Sequence, residues 1–200
     1  GMVMIAGGKL TTYRVMAKDA VDMAVKSLPT GARSSITDRI PLLGASGFEA
    51  RTNQRVALSR DTGLSIARID HLLGRYGGLI DEVLALLEER PELAKPLPGQ
   101  DDYLAVEVWY AASHEGARHL DDVLTRRTRI SIETQDRGVG SARPAADLMA
   151  EVLGWDPERI DAEVDHYLRR VEAERQSQEK LTDQEADETR VSAPEAPWAQ

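Results

Sequence analysis

The sequence contains no cysteine, no long apolar run and no excess of basic residues, and each absence excludes a class of protein. Without cysteine, disulfide scaffolds, thiolate chemistry and cysteine-ligated zinc are excluded, and a reducing cytosol is the expected compartment. No apolar run approaches the ~20 residues that cross a bilayer. The formal net charge of −9 argues against a general nucleic-acid binder, which needs a basic surface. We therefore expect no nucleic-acid partner.

Aromatic residues are also scarce, at 4% of the chain, whereas Leu, Ala, Val, Glu and Arg are abundant. This balance favours helices. At 200 residues the chain is long enough for one well-cored domain plus additional material. We therefore predict an all-α fold class, a multi-helix domain preceded by a short strand–turn–helix unit.

Hydrophobic periodicity and turn residues place the elements along the chain. The first unit is predicted to be a strand at 3–6, a glycine turn, and a helix from Thr11 or Thr12 to about Leu28 that ends at 29–31. The threonine hydroxyl is expected to cap this helix by accepting a backbone N–H. The later predicted elements are helices at 52–61, 65–76, 79–89, 101–114, 120–130, 144–153 and 156–171, with loops at 34–48, 96–99 and 137–141.

These elements divide the chain into four predicted segments. Residues 2–31 form the strand–turn–helix unit and residues 32–51 a linker. Residues 52–171 form the helical domain. Residues 172–200 are an acidic tail with little to bury, which we expect to be either a solvated helix extension or flexible.

The first motif is a glycine–lysine turn, Gly7-Gly8-Lys9, at the predicted start of a helix. It is not a nucleotide-binding P-loop, because Leu10 follows the lysine and Val3 stands where the first glycine is required. Glycines that allow close approach of the backbone, free N–H groups at a helix N-terminus and a lysine together favour an anionic or electron-rich ligand. The pattern alone leaves a simple solvent-exposed turn as the alternative.

The second motif, from His114 to His119, superficially resembles a zinc-protease H-E-x-x-H motif. The second histidine is five residues along rather than four, so on a helix the two imidazoles would lie ~140° apart. We therefore predict no metal site here and assign the histidines structural or surface roles.

The third motif pairs Asp121 and Asp122 with Arg126, Arg127 and Arg129. Three arginines so close together could bind a phosphate or a partner carboxylate. A charged helix end that holds a neighbouring helix or domain is the interpretation we favour.

Two stretches together resemble one protein family. "IAGGKLTTYRVMAKDAVD" (residues 5–22) is similar to the GGK[WL]TTYR signature of the FAD-dependent, aerobic glycerol-3-phosphate dehydrogenases and the related glycerophosphate oxidases. "EVWYAASHEGARHLDDVLTRRTRI" (residues 107–130) resembles the helical C-terminal domain of that family, with its HE pair and D-x-L-x-R-R-T run. The resemblance covers residues 5–171.

The resemblance implies that this chain is the C-terminal part of such an enzyme. Residues 2–31 would then be the end of the FAD-binding domain and 52–171 an accessory domain. The full enzyme would oxidise sn-glycerol 3-phosphate to dihydroxyacetone phosphate, with hydride passing from substrate C2 to flavin N5 and electrons passing on to quinone. The implied cofactor-binding residues, which would border the isoalloxazine ring, are Gly7, Gly8, Lys9, Leu10, Thr11 and Thr12.

The family's G-x-G-x-x-G fingerprint has no counterpart here, and its substrate-binding and base residues lie upstream. We therefore expect no catalytic residue in this chain, weak or no binding of FAD by the chain alone, and no activity. The implied partners are the upstream domains of the same enzyme and quinone, with a homodimer left open. The implied location is the cytoplasm, with peripheral attachment to the inner membrane face also left open. The alternative is a stand-alone helical interaction module without a cofactor; the unpaired strand favours the fragment.

Overall fold

The computed structural model of the chain describes residues 2–29 and 32–193. Among the described residues the regular secondary structure is helical apart from one short hairpin, which confirms the all-α fold class. The predicted helix stop at 29–31 and the end of the acidic tail at 194–200 lie partly or wholly outside the described residues.

The first helix, α1, spans Tyr13–Ala24 and is extended at both ends by short 3₁₀ turns, Leu10–Thr12 and Val25–Ser27. The predicted strand at 3–6 is wrong, because these residues form no ladder in the structure. A strand requires a hydrogen-bonded neighbour, and the described part of the chain offers none to this segment.

The linker leads into a group of four helices. These are α2 (Phe48–Asn53), α3 (Arg55–Thr62), α4 (Ile66–Tyr76) and α5 (Ile80–Glu89). The predicted helix at 65–76 is confirmed together with its cap, because the Ser65 hydroxyl accepts the N–H of Arg68 at 3.3 Å. Helix α4 buries one face through Ile69, Leu72 and Leu73.

A two-stranded antiparallel hairpin follows, with β1 at Pro96–Leu97 and β2 at Gln100–Leu104. Of the predicted loop at 96–99 only the turn at 98–99 is found, and the predicted helix start at 101 or 102 is wrong because these residues lie in β2. Gly99 makes the turn with φ +84°, a left-handed conformation that glycine adopts readily. The strand lasts until Tyr103 and Leu104, whose side chains are buried.

Helix α6, Ala105–Ser113, is the centre of the domain. One side contributes Val106 and Tyr110 to a core shared with α4 and α5. The other side contributes Val108 and Ala111 to a second core shared with α8 and α9. A helix with apolar residues all round is buried on both sides, and α6 therefore joins the two cores.

The predicted helix at 120–130 is instead a π-helical turn, Asp122–Arg127, followed by a short helix α7 at Ile130–Glu133. The wider turn is closed by Thr128, whose N–H and hydroxyl both donate to the carbonyl oxygen of Val123, at 2.8 and 2.7 Å.

Helix α8, Val139–Leu153, begins five residues before the predicted start at Pro144, which lies inside the helix. The predicted loop at 137–141 is thus mostly helix. Asp136 starts it, since its carboxylate accepts the N–H groups of Gly138 and Gly140 at 3.0 and 2.8 Å. Pro144 is the sixth residue of this helix and lies past the first turn, so its ring removes the hydrogen bond that an N–H at this position would donate to the carbonyl oxygen of Gly140.

Helix α9, Pro157–Ser177, starts as predicted, with the Asp156 carboxylate accepting the N–H of Arg159 at 2.7 Å. It continues six residues past the predicted end at 171, and Ala173 and Ser177 are buried. A further helix, α10 (Asp183–Val191), packs beside α9. The described part of the acidic tail, 172–193, is therefore largely helical and contributes buried side chains at Ala173 and Ser177.

Candidate functional site

The glycine–lysine turn stands at the N-terminal end of α1, where the sequence predicted it. Gly7 has φ +145°, and a Cβ there would come 3.0 Å from the Cε of Met16. At Gly8 a Cβ would have no neighbour within 4 Å. The backbone at Gly8 is therefore open for close approach from outside the chain.

The helix that follows the turn has no side-chain cap. The predicted cap by a threonine hydroxyl is wrong, because Thr12 Oγ1 donates to the carbonyl oxygen of Lys9 at 3.0 Å instead of accepting an N–H. Lys9, Leu10 and Thr11 are exposed, Leu10 by 83%. An uncapped helix start beside an exposed ammonium group is suited to an electron-rich or anionic ligand.

The segment that carries this turn contributes no residue to either of the two buried cores. None of the described residues between 2 and 48 is buried. Helix α1 nevertheless carries apolar side chains over about 200° of its circumference by helical spacing, and Val21 and Met23 are more than half exposed. An apolar face of this width normally packs against another part of the protein.

The two histidines of the second motif have separate neighbours. His114 stacks on the ring of Tyr110 with centroids 4.6 Å apart. His119 pairs through Nδ1 with the buried carboxylate of Glu163 at 2.9 Å. Both geometries agree with the structural roles predicted from the five-residue spacing.

The arginines of the third motif are all engaged with groups of this chain. Arg126 Nη1 contacts the carboxylates of Asp121 and Asp122 at 2.5 and 3.0 Å. Arg127 donates twice to the carbonyl oxygen of Glu115, at 3.0 and 2.8 Å. The favoured interpretation, a charged turn that holds its neighbours, therefore agrees with the structure.

Asp121 lies at the centre of this cluster. Its side chain is almost fully buried and also pairs with Arg170 on α9, so it links the π-helical turn to that helix. Asp122 instead accepts the N–H groups of Arg118 and His119 at 2.9 and 3.0 Å. Burial raises the pKa of Asp122, but these hydrogen bonds outweigh it and leave the pKa lowered.

Glu115, the acid of the HE pair, lines an open pocket of about 680 Å³ together with Arg75, Tyr76, Tyr110 and Arg127. Burial raises the pKa of the Glu115 carboxyl, against the opposing charges of Arg127 and Arg75. Residues from both halves of the second stretch of resemblance therefore meet in one pocket, beside α4.

Two buried glutamates were missed by the sequence analysis. Glu107 accepts the N–H of Leu104 at 2.8 Å and contacts His71 at 2.9 Å. Glu163 accepts the N–H of Leu120 at 2.9 Å and pairs with Arg159 at 2.6 Å. Their positions in the sequence could have identified them, because each glutamate lies at helical spacing from apolar residues that face the core.

None of the helices in residues 2–29 and 32–193 combines the length and hydropathy that a bilayer-crossing helix requires.

Comparison with known proteins identifies the family of this all-helical domain. Residues 35–160 match the family described as the C-terminal domain of alpha-glycerophosphate oxidase. The chain belongs to this family, as the two stretches of resemblance predicted.

The full-length proteins to which the chain is similar are named glycerol-3-phosphate dehydrogenases. It is 53% identical to the "Glycerol-3-phosphate dehydrogenase" of Mycobacterium leprae over 196 residues, which are 98% of this chain and 34% of that protein. It is 52% identical to "Glycerol-3-phosphate dehydrogenase 2" of Mycobacterium tuberculosis over the same shares.

A more distant relative is the mitochondrial glycerol-3-phosphate dehydrogenase of Arabidopsis thaliana, 33% identical over 82% of this chain and 28% of that protein. The chain thus spans about a third of the length of the curated relatives that it matches. No solved structure matches it.

Proposed function

We propose that this chain is the C-terminal third of an FAD-dependent glycerol-3-phosphate dehydrogenase. The whole enzyme would oxidise sn-glycerol 3-phosphate to dihydroxyacetone phosphate and pass the electrons to quinone. The observation that carries the proposal concerns residues 2–48. They contain a turn suited to bind a ligand and a helix with a broad apolar face, yet none of their described side chains is buried. Such a segment is expected to gain its packing from a larger domain.

The residues of the turn are suited to hold a flavin. Gly7 adopts a conformation that favours glycine, Gly8 leaves room beside its backbone, and the N-terminus of α1 is uncapped. These features allow a flat ring to approach the backbone and its N–H groups. The turn, from Gly7 to Thr12, is therefore our proposed border of the isoalloxazine ring.

FAD, if bound, would supply the acceptor for a hydride from C2 of the substrate. The contribution of this chain is electrostatic, because negative charge builds up along the N1–C2=O edge of the ring as it is reduced. The Lys9 ammonium and the N–H groups at the start of α1 would stabilise that charge. No acid or base for the substrate hydroxyl is assigned to this chain.

The helical domain is proposed to be an accessory to the catalytic part. Its partners would be the upstream domains of the same polypeptide, with quinone as the acceptor of the complete enzyme and a homodimer as one assembly to be examined. We propose a cytoplasmic enzyme, with peripheral attachment to the inner membrane face as one arrangement to be examined. Because most of the flavin cradle is upstream, the isolated chain is proposed to bind FAD weakly or not at all and to be inactive.

Replacement of Lys9 by alanine in the full-length enzyme tests the proposal. Loss of a charge-assisted contact of about 1–3 kcal/mol corresponds to a reduction potential lower by about 20–60 mV for a two-electron couple. Lys9→Arg should retain most of the potential. Lys26→Ala, an exposed lysine beyond the other end of α1, is the matched control and should leave the potential unchanged.

An unchanged potential and unchanged flavin affinity in Lys9→Ala would remove the lysine from the cofactor site. Retention of FAD or turnover of glycerol 3-phosphate by the isolated chain would refute the fragment's proposed inactivity. If the gene carries no flavin-binding region upstream, the stand-alone helical module becomes the better account.

A further inference from the structure

The backbone of the linker lies directly against the turn between α4 and α5, with no room for a side chain between them. The Gly78 N–H donates to the carbonyl oxygen of Gly44 at 2.7 Å. A Cβ on Gly44 would come 2.5 Å from the carbonyl oxygen of Tyr76. A Cβ on Gly77 or Gly78 would overlap the carbonyl oxygens of Gly44 and Ser46, respectively. Glycine is therefore required at all three positions for the two backbones to touch.

A second anchor lies a few residues further along. Arg51 on α2 donates through Nε and Nη2 to the Asp81 carboxylate, at 2.9 and 2.5 Å, and through Nη1 to Gln54 at 2.6 Å. Asp81 lies in the first turn of α5. The linker is thus fixed to one corner of the helical domain at two points.

The fixed end of the linker is connected to the glycine–lysine turn through α1. Segment 32–43 runs along one face of α1, and the two enclose a groove of about 600 Å³. Arg14 on α1 donates to the hydroxyl of Thr37 at 3.4 Å. Leu43 lines both this groove and the pocket that contains Glu115. A displacement of the linker at Gly44 would therefore be carried to α1.

We propose that the contact among Gly44, Gly77 and Gly78, here termed the glycine clamp, is a positioning device for the proposed flavin site. The clamp fixes where the linker leaves the helical domain, and it thereby sets the placement of α1 and of Lys9 against the cofactor in the full-length enzyme. This inference rests on the proposed function. The three glycines touch neither substrate nor flavin, so they are positioning residues.

Alanine substitutions at different glycines can separate steric overlap with the linker from backbone strain. Gly78 does not have a positive φ, so Gly78→Ala tests overlap with the linker alone. Gly63 has φ +73° and open space, so Gly63→Ala tests backbone strain without overlap. Gly74 lies inside α4 with neither property, so Gly74→Ala is the neutral control.

In the full-length enzyme saturated with FAD, Gly78→Ala should lower kcat by about tenfold or more, since small misplacements at a reacting centre have effects of that order. The visible absorption band of the bound flavin should shift as well. In the isolated chain, the same substitution should speed hydrogen exchange at residues 42–47. Gly63→Ala and Gly74→Ala should leave kcat per bound flavin and the flavin spectrum unchanged.

A Gly78→Ala enzyme that loses thermal stability but keeps its flavin spectrum and its kcat per bound flavin would overturn the proposal, because the clamp would then be structural only. If that variant does not fold, Asp81→Asn weakens the second anchor without backbone overlap. An unchanged flavin spectrum and kcat in Asp81→Asn would equally overturn the proposal.

The two proposals can fail separately. If the reduction potential of the flavin changes in Lys9→Ala, but the flavin spectrum and kcat change in neither Gly78→Ala nor Asp81→Asn, the clamp is rejected and the proposed function stands. A flavin that does not respond to Lys9→Ala would reject the function itself.

Discussion

Single buried glutamates each hold two elements of the helical domain together. Glu163, on α9, is fully buried. Its carboxylate accepts the N–H of Leu120 and contacts Nδ1 of His119, and both of these residues lie in the segment before the π-helical turn. Glu107 does the same on α6, where it joins the hairpin end at Leu104 to His71 on α4. Buried polar groups that lose a partner are costly, and each glutamate therefore fixes the register of two elements.

We expect Glu163→Ala to destabilise the domain by about 3–5 kcal/mol, because it removes one partner of a buried, hydrogen-bonded charge pair. The free energy of unfolding in urea measures this. Asp161→Asn, a half-turn away on the exposed side of the same helix, is the control and should change stability by less than about 0.5 kcal/mol. Equal losses in the two variants would show that Glu163 does not act through its buried partners.

At the scale of the element, α8 depends on glycine at both of its ends. Gly138 and Gly154 flank the helix with φ +77° and +69°. A Cβ on Gly138 would come 2.7 Å from Cγ2 of the buried Ile130, whereas a Cβ on Gly154 would meet nothing within 4 Å. The two positions share the backbone strain and differ in the space available.

Gly154→Ala should therefore lower the free energy of unfolding by about 1–2 kcal/mol, because alanine is strained in the left-handed conformation. Gly138→Ala should lower the free energy of unfolding by about 1–3 kcal/mol more than Gly154→Ala does, because the core beside Ile130 must also shift to make room for the methyl group. Unfolding of the two variants by urea gives the difference directly. Similar losses would mean that the core accommodates the extra methyl group.

The start of α8 also makes stability depend on pH. Hydrogen bonds from the N–H of Gly140 and then of Gly138 lower the pKa of the Asp136 carboxyl in the folded state, against a smaller effect of burial. A carboxyl with a lowered folded pKa stabilises the protein above its unfolded pKa of about 3.9, and this stabilisation is lost as the pH falls through the folded pKa.

Asp136→Asn should accordingly reduce stability at pH 7 and flatten the loss of stability between about pH 4 and the folded pKa. Thermal unfolding as a function of pH measures both effects. An unchanged acid limb in the variant would show that Asp136 does not contribute to it.

Elements set by local patterns could be predicted from the sequence, and those set by distant contacts could not. Helices α4 and α9 carry their own caps, Ser65 and Asp156, ahead of an apolar stripe, and both were found. Helix α8 was placed too late because its first turn depends on Asp136, whereas the conspicuous local signal is Pro144. The hairpin was missed because its strands are short, and only Leu97, Tyr103 and Leu104 in them are buried.

The position of the glycine–lysine turn could be predicted, but its hydrogen bonds could not. The glycine–lysine turn lies at a helix start as expected, yet Thr12 donates its hydroxyl instead of capping. The glycine clamp could not be foreseen, because nothing in the sequence shows that Gly44 meets Gly77 and Gly78. Assignment of the turn to a flavin stays a proposal.

At the scale of the whole molecule, the described chain has two parts of different character. The helical body from α4 to α9 has two joined cores. The described residues before 48 have no buried residue and contribute apolar surface that monomeric proteins rarely expose. The stability of the isolated chain should therefore reside in the helical body.

Removal of residues 2–33 should leave the free energy of unfolding of the isolated chain within about 0.5 kcal/mol, because no core contact is lost. The truncated chain should also self-associate less, since exposed apolar surface is removed. Urea unfolding and sedimentation at several concentrations test the two expectations. A large loss of stability would show that the first segment contributes packing to the body.

The most direct test of the central proposal is a structure of the full-length enzyme with FAD bound. We predict that the isoalloxazine ring lies against residues 7–12, with the Lys9 ammonium within about 3–4 Å of its N1–C2=O edge. A ring that is bound elsewhere, out of reach of this turn, would contradict the proposal.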